Sequence, residues 1–231
     1  RSFRTVPKGL FLVLEGVDGS GTTTQAKILA TALEDKGHSV VLTREPGGTP
    51  IAERIRQLVL DPALRVMTYR TELLLFAASR AQHVEELIAP SLSAGKVVIC
   101  DRFTASTLAY QAYGRGLDPT IAEQVNSFAI GECKPDITIF LNLPLEEAQL
   151  RRQSRGDAVD RLEEAGERLQ ALVANGYEEI ARSHPDVVSI VVDARPQQNE
   201  IADSILQSLT ERWPHLYKAA SNTEGANEEL V

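Results

Sequence analysis

No run of about 18 consecutive apolar residues, the length a membrane-crossing helix requires, occurs anywhere in the 231 residues. The opening Arg1-Ser2-Phe3-Arg4 also lacks the apolar core of a secretory leader. The protein is therefore expected to be soluble and cytoplasmic, with no membrane partner. Positive charge is scarce as well: 24 Lys and Arg stand against 32 Asp and Glu, a net charge of −8 and a pI near 5.1. A nucleic-acid partner needs a basic face to neutralise phosphates, so none is expected, and any cationic site must be local. Only two cysteines are present, Cys100 and Cys133, too few for a disulfide framework or a thiolate metal cluster. What remains is a chain with 43% hydrophobic residues, enough to bury the core of one α/β domain.

The stretch around which the rest is organised is Gly16-Val17-Asp18-Gly19-Ser20-Gly21-Thr22-Thr23-Thr24, between the apolar run Leu10–Leu14 and a helical pattern beginning near Thr23. Glycines let backbone N–H groups approach phosphate oxygens, and the following helix adds its positive dipole end. Gly16, Gly19, Ser20, Gly21, Thr22, Thr23 and Thr24 are thus candidates to cradle the phosphates of a nucleotide, with the Thr23 hydroxyl placed for Mg²⁺. One element is missing here too. The spacing G-x-x-x-x-G-K-[ST] asks for lysine where this chain has Thr22. A glycine-rich turn alone would be a bland strand-to-helix connection; the strand before, the helix after and the metal hydroxyl favour nucleotide binding.

Helical periods are expected over residues 23–36, 51–60 with Ile51, Ile55, Leu58 and Val59 inward, 71–88 closing before Pro90, 121–130, a long helix from Asp160 to about Ser183, and 200–209. Strands are expected at Leu10–Leu14, Val40–Leu42, Val97–Cys100, Ile137–Leu141 and Val187–Val192. Strand–helix–strand units of this length require crossovers, hence parallel pairing. Phe76 and Arg80 share one helix face, where a ring and a guanidinium could meet a planar ligand, or could be core residue and solvated charge. Asp101, ending an apolar strand, is placed to assist Mg²⁺, and Arg102 to grip a phosphate. Tyr113-Gly114-Arg115-Gly116 reads as a flexible turn. Arg151, Arg152 and Arg155 precede Gly156 in what would be a lid over the phosphates at about residues 151–161, doing the work Thr22 cannot.

Read in order, the phosphate loop, Arg44-Glu45-Pro46-Gly47-Gly48-Thr49, Phe76-Ala77-Ala78-Ser79-Arg80, Asp101-Arg102, Ser106 to Gln111 and the arginine-rich lid resemble the thymidylate kinase family, over about residues 10–212. The resemblance implies a nucleoside-monophosphate kinase fold, a five-stranded parallel sheet flanked by helices, in one domain over residues 10–217, with an extension at 1–9 and a disordered tail at 218–231. It implies transfer of the γ-phosphoryl of ATP to dTMP with Mg²⁺, in a homodimer. Carried onto this sequence, Asp18 would contact the sugar and phosphate region of the monophosphate, and Arg44 and Arg102 its phosphate. Phe76 would stack on thymine, Arg80 hydrogen-bond it, Thr107 and Gln111 approach the base, and Tyr110 lie under the deoxyribose where a 2′-hydroxyl would crowd. Pro46 and Ser106 complete the implied dTMP site, and Asp18, Arg102, Arg151, Arg152 and Arg155 the implied catalytic set; Thr23 and Asp101 are the metal candidates. Glu45-Pro46 is a candidate cis bond, because its loop must turn Arg44 into the site. Two alternatives stay open: a nucleotide-binding protein that has lost turnover, and a kinase for another deoxynucleoside monophosphate.

Overall fold

A computed structural model describes residues 9–155, 160–185 and 189–214, except for the side chain of Arg155. The expected extension beyond Gly9, the tail from Lys218, part of the lid and Val187 lie outside these residues.

Five parallel strands form the sheet: β1 (Leu10–Gly16), β2 (Val40–Arg44), β3 (Val97–Asp101), β4 (Ile137–Asn142) and β5 (Ile190–Asp193), in the order β2-β3-β1-β4-β5. Near-continuous apolar runs form β1, β3 and β4 because helices cover both faces. Alternate residues feed two cores. Leu12, Leu14, Val97 and Ile99 pack on one side with Leu29, Leu33, Val173, Tyr177 and Ile205. Phe11, Val13, Val98 and Cys100 pack on the other with Val84, Ile88, Leu92 and Phe103. The central β1 pairs with β3 on one side and β4 on the other, so the loop after it opens where the direction of winding reverses, the place in such sheets where ligands bind.

Around the sheet lie α1 (Thr22–Glu34), α2 (Pro50–Leu60), α3 (Tyr69–His83), α4 (Ala89–Ser93), α5 (Thr104–Thr107), α6 (Pro119–Ile130), α7 (Leu145–Arg155), α8 (Arg161–Glu164), α9 (Glu167–Ser183) and α10 (Gln198–Arg212), with π segments at Val84–Ile88 and Leu108–Gly114. Several expectations are corrected. The third helix does not close before Pro90: the π segment shifts the ladder so that Ala89 N bonds Val84 O, and proline's missing donor falls at the start of α4. The expected helix from Asp160 to Ser183 is broken at Gly166, whose φ of +87° only glycine adopts freely, into α8 and α9. On α2 the inward residues are Ala52 and Val59, while Ile51 and Leu58 are about half exposed. Tyr113 and Gly114 belong to a π segment packed along α9 rather than to a flexible turn.

Candidate active site

The phosphate loop leaves β1 at Gly16 and enters α1 at Thr22. Gly19 adopts φ +95°, and a Cβ there would fall 2.5 Å from Ala148 O, so α7 lies directly against the loop. Thr22 is buried and directs no cation outward. Thr23 Oγ1 donates to Asp101 Oδ2 at 2.5 Å, while Asp101 Oδ1 is buried with no hydrogen-bond partner. Hard, partly unsatisfied oxygens beside a phosphate loop fit Mg²⁺, which takes one or two protein oxygens and fills its shell with phosphates and water.

Arg102 follows with φ +73°, an uncommon conformation for a side-chain-bearing residue, which turns its guanidinium back over the loop. Its Nη2 pairs with Asp18 Oδ1 at 2.5 Å and its Nη1 donates to Gly16 O at 2.6 Å. Tyr110 OH donates to the other Asp18 oxygen at 3.0 Å, and the Arg102 guanidinium stands 5.8 Å over the Tyr110 ring. Burial pushes the Tyr110 phenol well up, reinforced by the Asp18 charge. Burial opposes charge on Arg102, but Tyr110, Asp18 and Tyr177 together hold its pKa well above the usual value.

Glu15, fully buried at the end of β1, accepts from Phe103 N (2.7 Å), Ser106 N (3.2 Å), Ser106 Oγ (2.6 Å) and Tyr177 OH (2.9 Å). One carboxylate thus fixes the start of α5, which carries Ser106 and Thr107 into the cleft. Burial raises the Glu15 pKa, against the pull of Ser106 and Arg102.

Asp18, Pro46, Phe76, Arg80, Arg102, Ser106, Thr107, Tyr110 and Gln111 line one cleft of about 600 Å³ that opens to solvent. Arg80 is buried. Its Nε pairs with Glu45 Oε2 (2.7 Å), Nη1 donates to Thr107 Oγ1 (2.8 Å) and Asn126 Oδ1 (2.6 Å), and Nη2 to Phe103 O (2.8 Å). Four of five guanidinium protons are committed, leaving one on Nη2, and Arg80 itself lines the cleft. The Glu45–Pro46 bond is cis. Arg44 does not line the cleft; it pairs with Glu53 and donates to Pro46 O at 2.8 Å. Arg56 does line it, donating to the same carbonyl at 2.9 Å, and burial and the Arg44 charge push its pKa down.

Sequence reading gave no site role to Arg56, Glu45, Glu72 and Leu162, and took Asp160 only as the end of the expected lid and the start of a helix. Arg56 lay on a helix read only for its apolar period; Asp160 and Leu162 reach the cleft because α8 folds over it. Glu72 was legible in principle, since Glu72, Phe76 and Arg80 recur every four residues on α3.

A second groove, of about 970 Å³ and open to solvent, lies across the loop, lined by Gly19, Gly21, Thr24, Arg151, Arg195 and Gln198 among others. Arg151 Nη2 donates there to Ala194 O at 2.8 Å. Arg152 turns the other way and donates from Nη1 to Asp18 O at 2.8 Å, so these adjacent arginines of α7 lie toward opposite sides of the loop. The side chain of Arg155 lies outside the described residues. Two clefts that meet at a phosphate loop can hold a donor and an acceptor with their phosphates facing.

Residues 14–205 match the family described as thymidylate kinase. Among curated relatives, a thymidylate kinase of Syntrophotalea carbinolica is 46% identical over 200 residues, covering 84% of this chain and 92% of the relative. One of Symbiobacterium thermophilum is 45% identical over 211 residues (91% and 97%), and one of Geotalea uraniireducens 43% identical over 209 (88% and 98%).

Proposed function

The chain belongs to the thymidylate kinase family, and from that premise we propose that it phosphorylates dTMP to dTDP with ATP as donor, in the cleft bounded by Phe76, Arg80, Tyr110 and Gln111. The observation that carries the acceptor assignment is Arg80, locked by Glu45, Thr107, Asn126 and Phe103 with one proton left for a carbonyl on a planar ligand.

In this reading Phe76 stacks on thymine, Arg80 donates to its O4, Thr107 and Gln111 border the base, and Tyr110 lies beneath the deoxyribose. The phosphate of dTMP lies between Arg102 and Arg56, beside Ser106. ATP occupies the second groove, its phosphates received by backbone N–H groups from Gly19 to Thr24, with Arg152 above the loop. A phosphate oxygen of dTMP attacks the γ-phosphorus, the bond from that phosphorus to the β,γ-bridging oxygen breaks, and ADP leaves with the electron pair. Positioning and charge stabilisation supply the acceleration, since the protein forms no bond to the transferred group. Thr23 and Asp101 would hold Mg²⁺, which supplies neutralisation of the phosphate oxygens when bound.

We further propose a cytoplasmic homodimer. Leu74 on α3 and Ile121 and Phe128 on the adjoining α6 are 59%, 52% and 91% exposed, an apolar face that a second copy would cover.

The test is ADP release measured by a coupled assay against dTMP, dUMP, dCMP, dAMP and dGMP. Turnover with dTMP far above that with dCMP, dAMP and dGMP is expected. Binding without turnover would make the chain a nucleotide sensor, and a preference for another base would reassign the cleft.

A further inference from the structure

Glu72 has no solvent exposure and lines neither the cleft nor the second groove. It sits on α3 one turn before Phe76 and two before Arg80, facing the same way. Its Oε1 accepts from Gln111 Nε2 at 2.9 Å and Arg115 Nε at 3.2 Å; its Oε2 meets Arg115 Nη2 at 3.1 Å and Arg161 Nη2 at 2.7 Å. A carboxylate between two guanidiniums offers oxygens and no proton. The amide it holds must therefore present its NH₂ end inward, which leaves Oε1 of Gln111, a lining residue, as the end turned to the cleft.

We infer that Glu72 is a specificity-determining positioning residue: by fixing the orientation of the Gln111 amide, it makes the cleft read a donor on the ring nitrogen between two carbonyls. Arg80 offers a proton and Gln111 an acceptor, both from the lining of one cleft. Thymine and uracil supply the complement, a carbonyl at O4 and a proton on N3. Cytosine presents the reverse, an amino group and an unprotonated nitrogen, and leaves both buried protein groups opposed by like partners. Without Glu72 the amide is free to flip and accept either pattern. The same carboxylate also carries Arg161, whose Nε donates to Val59 O at 2.8 Å, so the base-reading amide and the start of α8 share one anchor. The inference rests on the thymidylate assignment of the cleft.

The experiment compares Glu72→Gln, Arg115→Met and the wild-type protein in kcat and KM for dTMP and dCMP. Glu72→Gln should narrow the dTMP:dCMP ratio of kcat/KM by at least about tenfold, mostly through KM, because a flipped amide serves cytosine. Arg115→Met, which loosens the network but leaves the Gln111–Glu72 bond, should hold the ratio within about threefold. An unchanged ratio in Glu72→Gln, or equal narrowing in Arg115→Met, overturns the inference. Wild-type protein that turns over no dTMP would instead fail the assignment of the cleft. Should Glu72→Gln not fold, the wild-type Gln111 side-chain amide is followed by ¹⁵N NMR as dTMP is added without ATP. Amide protons that remain protected and keep their shifts support the inference; protons displaced toward a base contact overturn it.

Discussion

The Arg102 guanidinium closes on the Asp18 carboxylate at 2.5 Å, Nη2 to Oδ1, and so joins the end of β3 to the phosphate loop after β1. The left-handed backbone of Arg102, φ +73°, is what turns the side chain back to make that contact. Asp18 also takes the Tyr110 hydroxyl, so one carboxylate positions both the cation proposed for the phosphates and the platform proposed for the sugar. Asp18→Asn keeps the size and removes the charge. It is expected to lower kcat for dTMP by about 10²–10³-fold, the scale of losing one preorganised electrostatic contact. ATP KM should change far less; unchanged kcat in steady-state assays would remove Asp18 from the catalytic set.

Tyr110 is held from both sides, by its hydroxyl to Asp18 at 3.0 Å and by Arg102 over its ring. A ring so pinned cannot step aside for a 2′-hydroxyl. 5-Methyluridine monophosphate should therefore be a poor substrate, and Tyr110→Ala should narrow the gap between the sugars while lowering turnover of both. Equal wild-type kcat/KM for the two nucleotides would show that Tyr110 does not sense the sugar.

How far the sequence reached depended on the range of the interactions. Strands and the phosphate loop are local patterns, and the run Leu10–Leu14, the glycines and the Asp101-Arg102 pair place them without further information. The ends of helices were less legible because distant parts decide them. Pro90 stops a regular α-helix, but the π segment Val84–Ile88 re-registers the ladder and carries the chain past it. Which cations line the cleft was least legible: Arg44 and Arg56 both donate to Pro46 O, yet only the folded course of α2 decides that Arg56 lines the cleft.

Glu15 gives a test by pH. Burial, the largest influence, raises its pKa in the folded protein above the usual carboxylate value. A raised folded pKa means that the protonated group favours folding; its contribution is complete below the unfolded pKa and is lost as pH rises through the folded one. Glu15→Gln has no such proton to lose. Thermal unfolding of both proteins from acid to neutral pH should show the variant gaining on the wild type as pH rises above the unfolded value of about 4.3. A difference that stays flat would show that the four donors around Glu15 balance its burial.

The apolar face of α3 and α6 is testable apart from chemistry. Phe128 is 91% exposed, so its loss empties no core. Phe128→Glu should leave unfolding of the isolated chain within about 0.5 kcal/mol, as for surface substitutions generally. It should shift sedimentation from a dimer to a monomer. A wild-type protein that already sediments as a monomer at micromolar concentration would rule out pairing through this face.

The last test concerns Thr22, the residue that departs from the phosphate-loop pattern. A lysine there would reach the oxygens of the transferred phosphoryl group, whereas Thr22 is buried at the head of α1 and contributes a backbone N–H. Another cation must do that work if the chain turns over, and the lid offers two described candidates with different commitments. Arg151 is held by Ala194 O at the wall of the second groove, so its loss should act on ATP binding. Arg152 donates to Asp18 O at 2.8 Å and its Cγ lies against Gly19, so its guanidinium is held at the loop itself. Arg152→Ala should accordingly reduce kcat by at least about 10²-fold with a much smaller change in ADP affinity, because the charge matters as the lid closes on the transition state. Arg151→Ala should raise ATP KM more than it lowers kcat. Thr22→Lys completes the comparison. In the wild-type background it should change turnover little, since Arg152 already meets the charge, but in the Arg152→Ala background it should recover a large part of the loss. If Thr22→Lys alone raises turnover by orders of magnitude from an undetectable baseline, the lid does not compensate and the native protein has lost its catalysis.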